Sequence, residues 1–558
     1  MKRSLSTWLL LGATTLFLGL FLVYPMLRVL VRAIVVDGRP TATFVLALFA
    51  NAGLRQGMLN SIMIGVYATL LSMVIALPLA WIFARYRFPG RTVLNGLMLV
   101  PMVMPPFVGA LGLNQVFARC GSLNLLLEQL GLPMVDWFGG GGMLGVVVLE
   151  VLHLYPIMYL NIVAALANVD PAMEEAAANL GARAWTIFRR ITFPLMSPGL
   201  FAGAIIVFIW AFTDPGAPLM FEYRTCMPVQ MFDTLSDLNE NPIGYAIVVY
   251  ALLISLLAFW ASKWFAQRTH VVPSGKGATA DAGRRPSRLG LVMIYALLLG
   301  ITAIALLPHL TVLGVALSDT WFMTIFPRDL TDRYFKLALT HRLAASSIRI
   351  SLILSGLATI VDIIFGVALG YLFARSKSRV TAWLDTLVMM PLAIPGIVLA
   401  FGYVASFQSF TALDPRRDAF PLLIICYSVR RLPYMVRAAY AGFQQLSETF
   451  EEAAYNLGAR ATTVLRKITI PLMSAHILAG AILAFSFAVF EVGSTLVLAF
   501  REDQYPIAKA IYLLSMRLTD GPNIASAMGI LGMLLLGASL LIAGTILGQR
   551  MGELFRSR

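Results

Sequence analysis

The sequence predicts an all-α polytopic membrane protein of about twelve transmembrane helices, arranged as two parallel six-helix repeats. Three observations carry that reading: an apolar composition, a series of runs long enough to cross a bilayer, and a polar motif that occurs twice. Of 558 residues, 59% are hydrophobic and 13% charged, with a mean hydropathy of +0.81. A soluble domain would carry about a quarter charged residues.

A bilayer core needs roughly 20 apolar residues per helix. Such runs lie near residues 8–34, 61–84, 93–117, 142–168, 197–221 and 243–265, and again near 289–318, 349–374, 383–407, 420–443, 475–500 and 527–549. The opening MKRSLSTWLLLGATTLFLGLFLVYP sets a basic start before an apolar core, as a signal peptide does. It has no small-residue cleavage site in position, so it reads as an uncleaved first span.

Basic residues fall in alternate short loops: Arg85, Arg87 and Arg91 after the second span, Arg375, Lys377 and Arg379 after the eighth, and Arg550, Arg556 and Arg558 at the end. Lys and Arg resist translocation, so these loops and both termini are expected in the cytoplasm. The net charge of +14 is then mainly a topology signal with some attraction to anionic membrane lipid, and no nucleic-acid partner is expected. Cys120, Cys226 and Cys426 lie far apart without metal or redox spacing. Free thiols are expected, with a Cys120–Cys226 disulfide as the alternative in an oxidising compartment.

EEAAANLGARAWTIFRRITFPLMS (174–197) returns as EEAAYNLGARATTVLRKITIPLMS (451–474), identical at 18 of 24 positions at an offset of 277. The same offset aligns Pro156 with Pro433 and Asp214 with Glu491; an offset of 290 aligns Phe83–Arg85 with Phe373–Arg375, Pro101 with Pro391 and Pro105 with Pro395. The difference puts 13 extra residues in the first half, in a loop containing Gly139–Gly142. The chain therefore divides into a first transmembrane domain at 1–265, a flexible linker at 266–288 and a second domain at 289–558. The linker's SGKG lacks the earlier glycine of a phosphate-binding loop.

Each copy opens on a helix-start residue, Asp170 before Pro171 or Ser447. A short helix then runs to Gly181 or Gly458, where positive φ makes a turn easy. In the first copy a second segment carries Arg183 to Arg190 and is expected to stop at Pro194. The loops at 170–197 and 447–474 are too polar to span. They have stayed alike while the spans diverged, which points to two identical docking sites for a symmetric partner.

The spacing Glu175-Ala176-Ala177, Gly181, Ile191, Phe193-Pro194, repeated as Glu452-Ala453-Ala454, Gly458, Ile468, Ile470-Pro471, resembles the EAA loop of membrane subunits of binding-protein-dependent ABC importers. Phe193 and Ile470 stand where that family usually has Leu. The resemblance implies the type I importer permease fold and a bacterial inner-membrane location. Each loop would form a coupling helix seated in a cleft of an ATP-hydrolysing subunit, with Glu175, Ala176, Ala177, Gly181, Glu452, Ala453, Ala454 and Gly458 carrying the coupling. Two copies of that cytoplasmic ATP-binding subunit and a periplasmic or lipid-anchored substrate-binding protein are the implied partners. No cofactor is expected in this chain, which would be a transport subunit and not an enzyme. The fused arrangement resembles ferric-iron permeases most closely, with thiamine, 2-aminoethylphosphonate and polyamine carriers as alternatives.

An intramembrane enzyme is disfavoured: there are five histidines, no HExxH pair and no Gly-x-Ser-x-Gly elbow. An ion-driven secondary transporter also accommodates parallel repeats, but gives no reason for two near-identical polar loops. Asp214 and Glu491 each lie 17 residues beyond the motif's last serine, roughly 25 Å along a helix. Arg430 and Arg431 lie at comparable depth, and His153 occupies the position matching Arg430. Each half is thus expected to set a base (His153; Arg430) level with an acid (Asp214; Glu491), as a structural ion pair or as an outer gate or pathway. Acids suit a cation and arginines a phosphonate, so the cargo and any metal ligands stay open. The proline-rich stretches at 100–109 and 390–402 break the third and ninth spans, as pore lining or as packing kinks.

Overall fold

The computed structural model describes residues 5–36, 38–139, 142–167, 169–235, 242–268, 285–376 and 378–554. Most of the 266–288 linker, Lys377, Arg556 and Arg558 lie outside the described residues. Nine helices among those described are long and apolar enough to cross a membrane, and two bent pairs bring the number to eleven. The tenth expected span is a 26-residue helix, Phe420–Gln445, set apart by Arg430, Arg431 and Arg437. Two small hairpins, Val35–Val36 with Arg39–Pro40 and Ser318–Thr320 with Arg328–Leu330, add a few strand residues to the all-α architecture. Strands of two or three residues leave no period-two pattern in a sequence. Cys120, Cys226 and Cys426 are all free.

The two proline-rich stretches bend their spans by 99° and 103°. In the first half, helix Arg91–Leu99 passes through a 3₁₀ turn, Val100–Val103, into helix Pro106–Phe117; in the second, Arg379–Met389 passes through Met390–Leu392 into Gly396–Phe407. Proline lacks the N–H that continues the ladder and pushes the residue before it out of the helical region. Carbonyls freed inside a bilayer persist only where protein or water satisfies them. The fourth span, Met143–Ala167, does so for the first break: Tyr155 donates to the Met98 carbonyl at 2.9 Å and His153 Nδ1 lies 3.3 Å from the Pro101 carbonyl.

Each half closes around the other. The second half's first span, Arg288–Ala316, packs on Pro106–Phe117, and the first half's Tyr24–Ile34 packs on Gly396–Phe407. Glycine makes both approaches possible. A Cβ on Gly112 would stand 2.5 Å from the Pro308 carbonyl oxygen, and one on Gly402 would stand 2.9 Å from Pro25 Cβ. The two larger hydrophobic cores among the described residues both cross the boundary between halves: Phe107 and Tyr155 share one with Ile294 and Ile511, and Leu22 and Met26 share the other with Phe401 and Tyr403.

The helix expected to end at Pro194 continues instead. A π-helical turn, Phe188–Thr192, leads directly into Phe193–Thr213, and Leu465–Thr469 leads likewise into Ile470–Val489. A proline inside a regular helix loses one hydrogen bond and its ring meets the carbonyl four residues back. Widening the turn just before Pro194 or Pro471 relieves that conflict and lets the chain run on.

Gly112→Ala and Gly402→Ala are each expected to destabilise the purified chain by about 1–3 kcal/mol through overpacking, read as a lower unfolding midpoint in detergent. Gly96→Ala, where an added Cβ meets nothing within 4 Å, is expected to leave the midpoint unchanged or raise it. Equal losses at all three positions would show that the inter-half contact is not the cause.

Candidate functional site

A cavity of ≈ 180 Å³ lies between the two halves. Glu150 and His153 of the fourth span and Asp214, just beyond helix Phe193–Thr213, form one wall; Arg430, Arg431 and Glu491 form the other. Pro105 and Pro395, from the two broken spans, also line it. The structure thus brings His153, Asp214, Arg430, Arg431 and Glu491 into one chamber, although the chain places the first two nearly 280 residues from their repeat counterparts.

On the second-half wall one acid is shared by two bases. One oxygen of the buried Glu491 carboxylate accepts from Arg430 and the other from Arg431. Arg431 also lies over the Phe487 ring, 5.6 Å from its centroid. Behind it, Asp362 of the eighth span, Arg342–Arg375, is buried and accepts from Ser428 at 2.7 Å. A buried ion pair of this kind holds only while both signs are present.

The first-half wall is different. The expected pairing of His153 with Asp214 is absent among the described contacts, because His153 turns to the carbonyl freed at Pro101. Asp214 Oδ2 instead accepts from the Ala217 N–H at 2.8 Å, in the first turn of Gly216–Met220, and the Asp214 carboxyl faces that of Glu150. Glu150 is 3% exposed, and its Oε1 has no hydrogen-bond partner. Residues 150 and 153 share a helix face, so an acid pair and a histidine look into the cavity with no arginine among them. Glu150 and Asp362 are intramembrane acids that reading the sequence missed, although each is a lone acid inside an apolar run. No group of three or more His, Cys, Asp or Glu with metal-binding geometry occurs among the described residues.

The repeated loops form a second candidate site. Helix Pro171–Asn179 begins at Asp170, whose side chain accepts from the Ala172 N–H at 2.9 Å; helix Glu448–Asn456 begins at Ser447, which accepts from the Thr449 N–H at 3.3 Å. Both end at a left-handed glycine, Gly181 at φ +82 and Gly458 at φ +80. Glu175, Ala176 and Gly181 are exposed, as are Glu452, Ala453 and Gly458, whereas Ala177 is half-buried and Ala454 buried. Beside each glycine stands a bare leucine, Leu180 at 90% and Leu457 at 89% exposure. An apolar side chain held open on a polar loop, and held open twice, fits an interface. Their identity in the two copies was the available signal for these leucines.

The family described as binding-protein-dependent transport system inner membrane component matches residues 76–271 and again 363–553. The chain is 25% identical over 556 residues to the ferric transport system permease protein FbpB of Actinobacillus pleuropneumoniae, covering 96% of this chain and 77% of that protein. It is 26% identical over 504 residues to the putative ferric transport system permease protein FbpB 1 of Haemophilus influenzae, covering 87% of this chain and 76% of that one. The molybdenum transport system permease protein ModB of the same organism is 30% identical over 230 residues, which is 96% of that protein but 40% of this chain.

Glu491→Ala strands the buried Arg431 and the half-buried Arg430 and is expected to cost about 3–5 kcal/mol of stability, read by thermal unfolding in detergent. Asp214→Asn keeps an acceptor for Ala217 and is expected to cost clearly less. A Glu491→Ala chain as stable as the parent would show that the arginines are held by something else.

Proposed function

Because the chain belongs to the family of binding-protein-dependent transport system inner membrane components, we propose that it supplies the whole membrane pathway of an ATP-driven importer whose cargo is ferric iron. A periplasmic or lipid-anchored binding protein delivers the cargo to the face opposite the repeated loops. Each loop seats in one of two copies of a cytoplasmic ATP-binding subunit, with Glu175 and Leu180, or Glu452 and Leu457, turned toward it. The arginine-rich loops and both termini lie on that cytoplasmic side, in keeping with the retention of positive charge. The chain itself hydrolyses nothing.

One observation supports the cation over the anionic alternative. Arg430 and Arg431 are each already engaged by Glu491, which competes with any phosphonate, whereas Glu150 and Asp214 face the cavity without a cationic partner among the described residues. The ferric permeases that resemble this chain do so over most of its length. His153, Asp214, Arg430, Arg431 and Glu491 act as the pathway and its gate. ATP-driven approach of the two loops moves the halves about their reciprocal glycine contacts, and the cavity opens by turns to each side.

The test is uptake of radiolabelled ferric iron by cells with and without this chain in iron-poor medium, with labelled 2-aminoethylphosphonate, thiamine and a polyamine alongside. Iron uptake alone is expected to fall without the chain and to return with it. The double variant Glu175→Arg, Glu452→Arg is expected to reach the membrane at the parental level and restore nothing. Loss of phosphonate uptake with iron unchanged would overturn the cargo. Iron uptake that survives ATP depletion while a proton gradient remains would overturn the ATP-driven mechanism.

A further inference from the structure

The repeated motif opens on two adjacent glutamates, and they do different things. Glu175 and Glu452 face outward, whereas Glu174 and Glu451 turn back into the protein. Glu174 Oε1 accepts from Arg85 Nη2 at 2.5 Å and from Thr192 Oγ1 at 2.6 Å. Arg85 is the last residue of the second span, Ala52–Arg85, and Thr192 closes the π-helical turn that feeds helix Phe193–Thr213. One carboxylate therefore ties the loop helix to the feet of two spans. Ring contacts brace the same joint: Arg85 lies 5.5 Å from the Trp81 ring centroid, and Trp81 packs edge-on against Phe188 of the π-turn.

The second half has the same three residues at the repeat offsets but ties them differently. Thr469 donates to Glu451 Oε1 at 3.1 Å, while Arg375 Nε stands 3.8 Å from Glu451 Oε2. Arg375 gives its terminal nitrogens elsewhere, to Glu448 at 3.2 Å and to the Leu446 carbonyl at 3.1 Å. At the position matching Glu448 the first half has Pro171, which offers no side-chain acceptor. Tyr371, which matches Trp81, packs against Phe443, and the position matching Phe188 is Leu465.

We propose that Arg85, Glu174 and Thr192 form a latch that carries movement of the first loop into its spans, and that the two loops are mechanically unequal. The first relies on a single charge-assisted carboxylate; the second is held by an arginine hydrogen-bonded to two other acceptors, Glu448 and the Leu446 carbonyl, with Glu451 only a looser ion-pair neighbour, and tolerates loss of that acid. Glu174 is a positioning residue, since it faces inward and leaves the docking surface to Glu175 and Leu180. This inference rests on the proposed docking of the loops to an ATP-binding subunit.

The experiment uses the assembled complex in proteoliposomes: this chain, its ATP-binding subunit and its binding protein loaded with ferric iron. ATP hydrolysis is read with and without the loaded binding protein, beside iron uptake. Glu174→Ala is expected to lower stimulated hydrolysis and uptake about tenfold, the factor that a lost charge-assisted hydrogen bond represents. Basal hydrolysis and the amount of bound ATP-binding subunit are expected to stay at the parental level. Glu451→Ala is expected to lower stimulation by less than about threefold, because Glu448 and Leu446 still hold Arg375. The exchange Arg85→Glu with Glu174→Arg is expected to recover most of the stimulation, which a role of either residue independent of their pairing would not produce. If Glu174→Ala does not reach the membrane, Glu174→Gln carries the test, with a smaller loss expected because one acceptor remains. Unchanged stimulation in these Glu174 variants overturns the latch, and equal losses at Glu174 and Glu451 overturn the inequality. A parental complex that binds no ATP-binding subunit overturns the functional reading itself.

Discussion

Gly112 on Pro308 and Gly402 on Pro25 are contacts that neither half makes alone, and the interior depends on them. A helix broken by proline leaves backbone groups that lipid cannot satisfy. Here the fourth span caps the first break from within its own half, while the first span of the opposite half covers the helix that follows it. That cover is close enough to be useful only because glycine leaves no side chain between the backbones. The cavity is then where it must be, at the two breaks, since these are the places where helices stop filling the space between the halves.

Fusion of the halves into one chain lets the two walls of that cavity differ. The position matching Glu150 is Tyr427, whose hydroxyl pairs with Thr495; the position matching His153 is Arg430, and that matching Leu154 is Arg431. The acid at 214 and 491 is kept, but its neighbours have changed. Two arginines share one acid in the second wall, and two acids together leave the first wall short of a positive charge. A symmetric dimer of identical subunits would present the same groups on both sides. In a duplicated chain, one wall can be fixed as structure while the other faces the traffic.

Much of this was legible in the sequence. Span number, the repeat and the loops follow from apolar run length and from identity at a fixed offset, which depend on local sequence. Asp214 and Glu491 stood out as acids in apolar runs, and their depth followed from residue counting. Depth does not give azimuth, however. Counting set His153 level with Asp214, but the carbonyl exposed at Pro101 claims the imidazole, and Glu150 one turn earlier takes the place beside the acid. Pro194 read as a stop because proline ends regular helices; a π-turn is a change of hydrogen-bond register with no residue signature of its own. The glycines at 112 and 402 were visible as letters, but their partners lie in the other half.

The paired glutamates of the motif show why the loops stayed alike when the spans did not. Successive residues on a helix point about 100° apart, so Glu174 and Glu175 cannot serve the same surface. The outward residue is free to meet a partner on the proposed docking face, where two like surfaces are kept alike. The inward residue answers to the protein's own spans, which differ between halves. The triad of arginine, glutamate and threonine is accordingly present twice, yet its geometry is tight in one half and branched in the other, where Glu448 replaces Pro171. Sameness on the outward face and difference on the anchoring face let two like loops be held by two unlike halves.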